Sequence, residues 1–176
     1  MRTNRGTAIA GAMLAMVGMA ATGCSGGEDS DTPETRAVAQ PWDPCTLSDG
    51  ALRNATIDPA TEGPGPVEAP GEENCGWKTT DDISVIMTAS TILPVDDIRN
   101  GPGNTDFQDV TVAGRSAFTF RDDGYAPDSV CWLVVPFQNE GLVLTQVARS
   151  VFTKDTTPMC EWAVRVGDAL AGEIPR

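Results

Sequence analysis

The residue whose type and position indicate the most specific chemistry is Cys24, which ends the segment Ala21-Thr22-Gly23-Cys24 after an apolar N-terminal run. Small residues before a cysteine at this place are typical of a bacterial lipobox. Cleavage before Cys24 would make it the first residue of the mature protein, where acyl chains such as palmitate anchor a protein to the membrane. The alternative is an ordinary signal peptide cleaved nearby, with Cys24 as a spare thiol.

The chain before and after Cys24 fits secretion followed by tethering. Residues 1–23 carry Arg2 and Arg5 near their start and contain an apolar run that is shorter than the roughly 20 residues of a membrane span, which is typical of a signal peptide. Residues 24–40 are rich in Gly, Ser and acidic side chains, and we expect a flexible acidic tether. A single disulfide-stabilised domain is then expected over residues 41–176.

The other four cysteines are Cys45, Cys75, Cys131 and Cys160. An even number in an exported domain predicts two disulfides. A zinc site is the alternative, but no Cys-x-x-Cys pair and no histidine is present. Three pairings are possible, of which we expect the sequential one. Each bridge would then close a loop of about 30 residues, which stabilises the fold by roughly 3.5 kcal/mol in the chain-entropy model.

The charge balance limits the possible partners. The chain has 12 basic and 25 acidic residues, and loss of the two signal-peptide arginines changes its net charge from −13 to −15. Nucleic acid is excluded as an expected partner because binding it requires a basic patch. Direct docking onto an anionic membrane surface is disfavoured for the same reason. Solubility explains the acidity most simply, and a cationic ligand is the alternative.

The residues of the common catalytic arrangements are missing. Without histidine there is no Ser-His-Asp or Cys-His arrangement, and cysteines held in disulfides are not nucleophiles. No phosphate-binding glycine motif is present. We therefore expect no enzyme activity, no cofactor and no metal.

Three pairs of consecutive carboxylates are the remaining catalytic candidates. Paired carboxylates can hydrolyse glycosides or bind calcium. Neighbouring residues of a strand point to opposite faces, however, and none of the pairs has the spacing of a calcium loop, so we expect them to form turns. The pairs are Asp81-Asp82, Asp96-Asp97 and Asp122-Asp123.

The four tryptophans could line a pocket or fill the core. Trp77 and Trp132 follow cysteines closely, which favours packing against the disulfides. Trp42, at the end of the tether, is expected to be the tryptophan most available to a ligand.

The hydropathy pattern predicts the elements that must position these residues. A short helix is expected after Ser48, which can cap it, with Leu47 and Leu52 as a hydrophobic staple. The prolines and glycines of residues 58–74 predict a long surface loop. A C-terminal helix is expected with Thr157 as its cap and Pro158 as its first residue. The expected strands and the short helix between them are 75–78, 83–90, helix 93–100, 108–112, 116–120, 130–135 and 142–148, with a turn at 138–141.

This order predicts an α+β fold. We expect a mostly antiparallel, curved sheet of five or six strands, with the N-terminal short helix and the C-terminal helix packed on one face.

The pattern resembles the DUF3558 family of actinobacterial exported lipoproteins. The resemblance covers about residues 41–174 and brings no catalytic residues, since the family is named for its unknown function. It supports the lipoprotein assignment and a role of the four domain cysteines in the fold. The matching segments are Asp43–Leu47, Cys75–Trp77, Val112–Ala117, Cys131 in an apolar strand and Cys160 at the start of the last helix.

These observations predict a lipid-anchored lipoprotein on the extracytoplasmic face of the cell membrane, acting as a non-catalytic binding or accessory module of the cell envelope. Its expected partners are the membrane, through Cys24, and an envelope lipid, a glycan or a membrane protein. A carboxylate-dependent envelope hydrolase and a regulatory partner of a membrane protein are the alternatives. A deep apolar pocket would favour a lipid, a flat apolar patch a protein, and two carboxylates about 5–9 Å apart in a cleft a hydrolase.

Overall fold

The computed structural model describes residues 40–66, 69–137 and 141–176. The predicted signal peptide, Cys24, all of the tether except residue 40, and most of the turn at 138–141 lie outside these residues. Within them the chain forms one 3-10 helix, three α-helices and seven strands. Their bounds are Pro44–Thr46 (3-10), α1 Asp49–Asn54, β1 Ile57–Pro64, β2 Glu72–Thr79, β3 Ile83–Ser90, α2 Val95–Arg99, β4 Asn104–Val112, β5 Arg115–Asp122, β6 Val130–Phe137, β7 Gly141–Arg149 and α3 Met159–Leu170.

The strands form a single antiparallel sheet in the order β1-β2-β3-β7-β6-β5-β4. Strand β7 pairs with both β3 and β6 and therefore joins the first three strands to the last three. The predicted α+β class with a curved antiparallel sheet is confirmed, and the sheet has one or two strands more than expected.

The additional strand is β1, and it corrects the prediction of a loop over residues 58–74. Strand β1 lies at the edge of the sheet and pairs only with β2. An edge strand tolerates Pro59 and Pro64 because its outer side forms no ladder hydrogen bonds. A bulge between Asp58 and Gly63 interrupts the pairing, and there the Lys78 backbone N–H donates to Thr61 Oγ1 at 2.9 Å. The loop prediction failed because proline and glycine exclude a central strand but not an edge strand.

The main core lies between one face of the sheet and helices α1 and α3. Alternate residues of β3 point into it, and Ile83, Val85 and Met87 have no exposed surface. Helix α3 contributes Met159, Trp162, Ala163, Val166 and Leu170. The same alternation places the intervening residues of each strand on the opposite face, which carries the candidate site.

Helices α1 and α3 are capped in different ways at their N-termini. Ser48 caps α1 as predicted, because its Oγ accepts a hydrogen bond from the Ala51 N–H at 3.2 Å. The predicted start of α3 is wrong: the helix begins at Met159, and neither Thr157 nor Pro158 caps it with a side chain. The Met159 N–H instead donates to Asp128 Oδ1 at 2.9 Å, so a distant carboxylate takes the place of the local cap.

Two disulfides link the helical segments to the sheet. Cys45, in the 3-10 helix, is bonded to Cys75 in β2, and Cys131 in β6 is bonded to Cys160 in α3. These are the two bridges of the sequential pairing. Both bridges lie on the face that packs against α1 and α3.

Candidate binding surface

The face of the sheet opposite α1 and α3 carries a second, smaller apolar cluster. In the described part of the chain only α2, with five residues, packs on this face, whereas the 12-residue α3 covers the main core. Part of this cluster is therefore accessible to solvent. Its buried members are Ile98, Phe118, Phe120, Val134 and Leu142, and its partly buried members are Leu93, Val95, Phe107, Trp132 and Leu144.

Four aromatic side chains form a continuous row on this face, which we call the aromatic row: Phe107, Phe120, Trp132 and Tyr125. The ring centroids are 5.6 Å apart between Phe107 and Phe120 and 5.4 Å between Phe120 and Trp132, with both pairs stacked. Tyr125 meets Trp132 edge-on at 5.3 Å. Aromatic pairs at such distances contribute about 0.5–1.5 kcal/mol each beyond area burial.

The register of the strands creates the aromatic row. Phe120 and Trp132 are direct cross-strand partners on β5 and β6. Phe107 joins them from β4, because Asp109 is the cross-strand partner of Phe118 and Phe107, two residues before Asp109, lies on the same face. A bulge between Thr105 and Gln108, where Asp106 has a positive φ of 52°, adds one residue to β4 beside Phe107.

Arg99, at the end of α2, covers the other side of this cluster. Its guanidinium carbon lies 4.1 Å from the Phe118 ring centroid and 5.7 Å from that of Phe107. Its Nη2 forms an ion pair with Asp109 Oδ1 at 3.0 Å. The Arg99 side chain is 40% exposed. It covers the rings of Phe118 and Phe107 while its guanidinium stays in contact with solvent.

Two open grooves flank α2 and share Val95 and Pro136. The larger has a volume of about 600 Å³ and runs past Arg99, Asp109 and Phe118. The smaller has a volume of about 480 Å³ and includes Ile92 and Phe137. Ile92 is 49% exposed and is one of four exposed large hydrophobic side chains among the described residues. Together the grooves form a wide, shallow surface rather than an enclosed pocket.

The predicted carboxylate pairs do not lie in these grooves. Asp81-Asp82 occupies the turn between β2 and β3, and Asp122 ends β5, where its Oδ1 accepts a hydrogen bond from the Gly124 N–H at 2.7 Å. These two pairs belong to turns, as predicted. Asp96-Asp97 instead lies in the first turn of α2, where the positive end of the helix favours negative charge.

One other groove contains two carboxylates. It has a volume of about 310 Å³ at the start of β2 and is lined in part by Glu72 and Glu73. These residues are consecutive on a strand, so their side chains project to opposite faces of the sheet. Such an arrangement does not favour a catalytic dyad.

One group of side chains in the described residues brings potential metal-ligand atoms close together, although no metal site was expected. Among the described residues, Cys45, Glu62 and Cys75 bring their ligand atoms within 4.8 Å of one another. Both sulfurs are bonded to each other, which leaves the Glu62 carboxylate as the donor group. Sulfurs held in a disulfide are not thiolates, so these two cysteines do not offer zinc ligands.

The tryptophans divide between the two faces. Trp77 and Trp162 are buried in the main core, as expected for Trp77. Trp132 is only partly buried and belongs to the opposite face, although its neighbour Cys131 lies in the core. Trp42, like Trp132, is partly buried, and it packs against the main core, so its expected availability to a ligand stays a prediction.

The aromatic row was not predicted from the sequence. The alternation of Phe118 and Phe120 was a usable signal, because it places two aromatic side chains on one face of a strand. Phe107 lies just before the predicted strand 108–112, and its place beside Phe120 depends on the pairing of β4 with β5. Cys24 lies outside the described residues, so its predicted lipidation stays a prediction.

None of the helices in the described residues has the length and apolar character needed to cross a membrane. A family model described as "Protein of unknown function (DUF3558)" matches residues 19–173. Comparison with curated proteins and with solved structures finds no significant match.

Proposed function

The chain belongs to the DUF3558 family, and we propose that it is a lipid-anchored extracytoplasmic lipoprotein whose domain is a non-catalytic binding or accessory module of the cell envelope. The observation that carries the binding role is the sheet face beside α2, where an aromatic cluster is left partly uncovered next to two open grooves. Contiguous apolar surface of this kind is typical of interaction sites.

The sequence around Cys24 and the two disulfides support the proposed location. Disulfides persist in oxidising compartments, which agrees with an exported domain. The lipobox pattern supports anchoring on the extracytoplasmic face of the cell membrane.

Fractionation of the Cys24→Ala protein in its host tests the anchor. We expect the variant to leave the membrane fraction, whereas Ser25→Ala, which keeps the cysteine, remains there. Incorporation of a palmitate analogue should be lost only in Cys24→Ala. Continued membrane retention of the Cys24→Ala protein without lipid would contradict the proposed anchor.

The shape of the grooves favours a protein as the bound partner. Enclosed, largely apolar cavities are typical of sites for lipids and small molecules. The grooves beside α2 are instead wide and shallow, and Arg99 with its partner Asp109 places charge in the larger one. We therefore favour a neighbouring envelope protein over a lipid or a glycan, so that the domain acts as a binding partner in the envelope.

Native mass spectrometry of the complexes extracted from host membranes tests this role. We expect a stoichiometric protein to accompany the wild-type chain and to be lost from an Ile92→Asp variant, because the substitution places a charge in the smaller groove. Ala60→Asp, on an exposed position of the edge strand β1, is the matched control and should keep the partner. A co-purifying small molecule that is lost from the Ile92→Asp protein would instead support ligand binding.

A further inference from the structure

Three large apolar side chains lie exposed on two loops at one end of the sheet. Val151 is 92% exposed, Phe152 78% and Tyr125 48%, and they make up all but one of the exposed large hydrophobic residues in the described part of the chain. The two loops, 123–129 and 150–158, follow β5 and β7. We call them, together with the β2–β3 turn 80–82 beside them, the loop end.

Hydrogen bonds and ion pairs join the loops to each other. The Arg149 N–H donates to the Ser129 carbonyl at 2.8 Å, and its Nη2 pairs with Asp128 Oδ2 at 3.2 Å. Asp128 also pairs with Arg121 at 3.3 Å and caps Met159 at the start of α3. The turn 80–82 is adjacent because Ile83 is the cross-strand partner of Arg149.

The base of the loop 150–158 is fixed although its tip is exposed. Arg149 donates hydrogen bonds to the carbonyls of Asp155 and Thr157, the latter at 2.7 Å. Asp155 accepts from the Thr157 N–H at 2.6 Å and from Trp162 Nε1 at 3.2 Å, and these hydrogen bonds hold the pKa of its carboxyl below its usual value. The structure therefore presents Val151 and Phe152 from an ordered base, and this preorganisation lowers the entropic cost of binding.

The charges around Val151 and Phe152 distinguish between a membrane and a protein as the surface that these side chains would contact. The three segments of the loop end contain five aspartates and one lysine. Asp128 is engaged in ion pairs, while Asp81, Asp82 and Asp123 take part in none of the ion pairs of the described residues. Carboxylates around an apolar tip are repelled by an anionic membrane surface and attracted by basic side chains.

We propose that the loop end docks a protein whose surface has an apolar pocket surrounded by lysine or arginine side chains, with Phe152 as the side chain that enters the pocket. Aromatic side chains buried at the centre of an interface commonly contribute most of its binding energy, and complementary charge increases the association rate. This interaction deepens the proposed accessory role and rests on it, but it uses a surface at a different place from the grooves beside α2.

Site-specific photo-crosslinking of the full chain in its host tests the proposal. A photoreactive phenylalanine analogue is placed at position 152, at position 125, at position 92 on the smaller groove, or at the control position 60 on the edge strand β1. We expect the same protein to be cross-linked from positions 152 and 125 but not from position 60, while position 92 reports the partner of the grooves. Peptide mapping of the adduct should place the cross-link in a basic surface of the partner.

Charge neutralisation gives a second measurement. The combined substitution Asp81→Asn, Asp82→Asn and Asp123→Asn should lower the yield of the position-152 adduct at least fivefold, whereas Asp96→Asn with Asp97→Asn in α2 should leave it unchanged. An unchanged yield in the first variant overturns the proposal.

Other adducts also overturn the proposal. Cross-links to lipid, together with binding of the Cys24→Ala protein to phosphatidylglycerol vesicles that is lost on Val151→Ser and Phe152→Ser, would identify a membrane contact. An adduct with twice the mass of the chain would identify self-association. A protein cross-linked only from position 92 would leave the proposed function standing while refuting this surface.

Discussion

The carboxylate of Glu173 accepts two hydrogen bonds from Ser48, one from the backbone N–H at 2.8 Å and one from Oγ at 2.5 Å. The two residues are 125 positions apart, and Ser48 is the residue that caps α1. The C-terminal segment therefore fixes the start of the first helix. These hydrogen bonds also lower the pKa of Glu173 below its usual value of 4.5.

The lowered pKa of Glu173 predicts a pH dependence of stability. Because the folded state holds the carboxyl ionised more strongly than the unfolded chain does, its contribution is fully present above about pH 5 and is lost as pH falls through the folded pKa. We expect Glu173→Gln to lower the free energy of unfolding at pH 7. Between pH 5 and 3, the free energy of unfolding of this variant should fall less steeply than that of the wild type. Urea denaturation across this range measures both effects, with Glu62→Gln on β1 as the control. An equally steep decrease in the Glu173→Gln protein would contradict the assignment.

Arg149 is expected to be important for stability because it joins two loops and the start of α3. Its side chain is 22% exposed, pairs with Asp128 and donates to two carbonyls. Replacement by methionine removes these bonds and leaves Asp128 with fewer partners, so we expect a loss of about 2–3 kcal/mol in the free energy of unfolding. Arg53→Met removes an exposed i,i+4 ion pair with Asp49 and should cost no more than about 0.5 kcal/mol. Equal losses in the two variants would show that the Arg149 contacts contribute little.

Each disulfide is expected to stabilise the domain substantially. The bridges close segments with sequence separations of 30 and 29 residues, for which chain entropy predicts about 3.5 kcal/mol each. Cys45→Ala with Cys75→Ala, and Cys131→Ala with Cys160→Ala, should therefore each lower the midpoint of denaturation. Non-reducing peptide mapping of the wild-type protein checks the pairing, and a peptide joining Cys45 to Cys160 would contradict it.

Helix α3 packs closely on the sheet at Gly167. A Cβ atom at this position would lie 2.4 Å from Leu133 Cδ2 and 3.2 Å from Val112 Cγ1, and both neighbours are fully buried. Gly167→Val should therefore destabilise the domain by at least about 2 kcal/mol because the helix must move away from the sheet. Gly172→Val is the matched control, since no atom lies within 4 Å of its Cβ position. Thermal unfolding of the two variants compares them, and similar midpoints would argue against tight packing.

Local patterns were sufficient to predict much of the fold. The Ser48 cap with its staple, strand β3 and strand β7 each follow from residue types within a few positions of one another. Alternation predicts which side of a strand is buried because successive side chains point to opposite faces. The two disulfides of the sequential pairing could be expected, but three pairings were compatible with the sequence.

The surfaces that we propose for binding depend on contacts between distant segments. Strand β1 exists because β2 supplies its hydrogen bonds, and Phe107 reaches the aromatic row because β4 pairs with β5. Asp128 replaces a local cap for α3 across 31 positions. The residues adjacent in sequence do not indicate which distant residues will be such partners.

Composition and periodicity were thus enough to indicate a disulfide-bonded α+β domain, because propensity, capping and alternation act over a few residues. The pairing of the strands decides which apolar side chains remain exposed. The insertion of β7 between β3 and β6 places one face under α1 and α3 and leaves the other to the five residues of α2. Exposure depends on what packs on the far side of a strand, and that is set by long-range pairing rather than by local residue type.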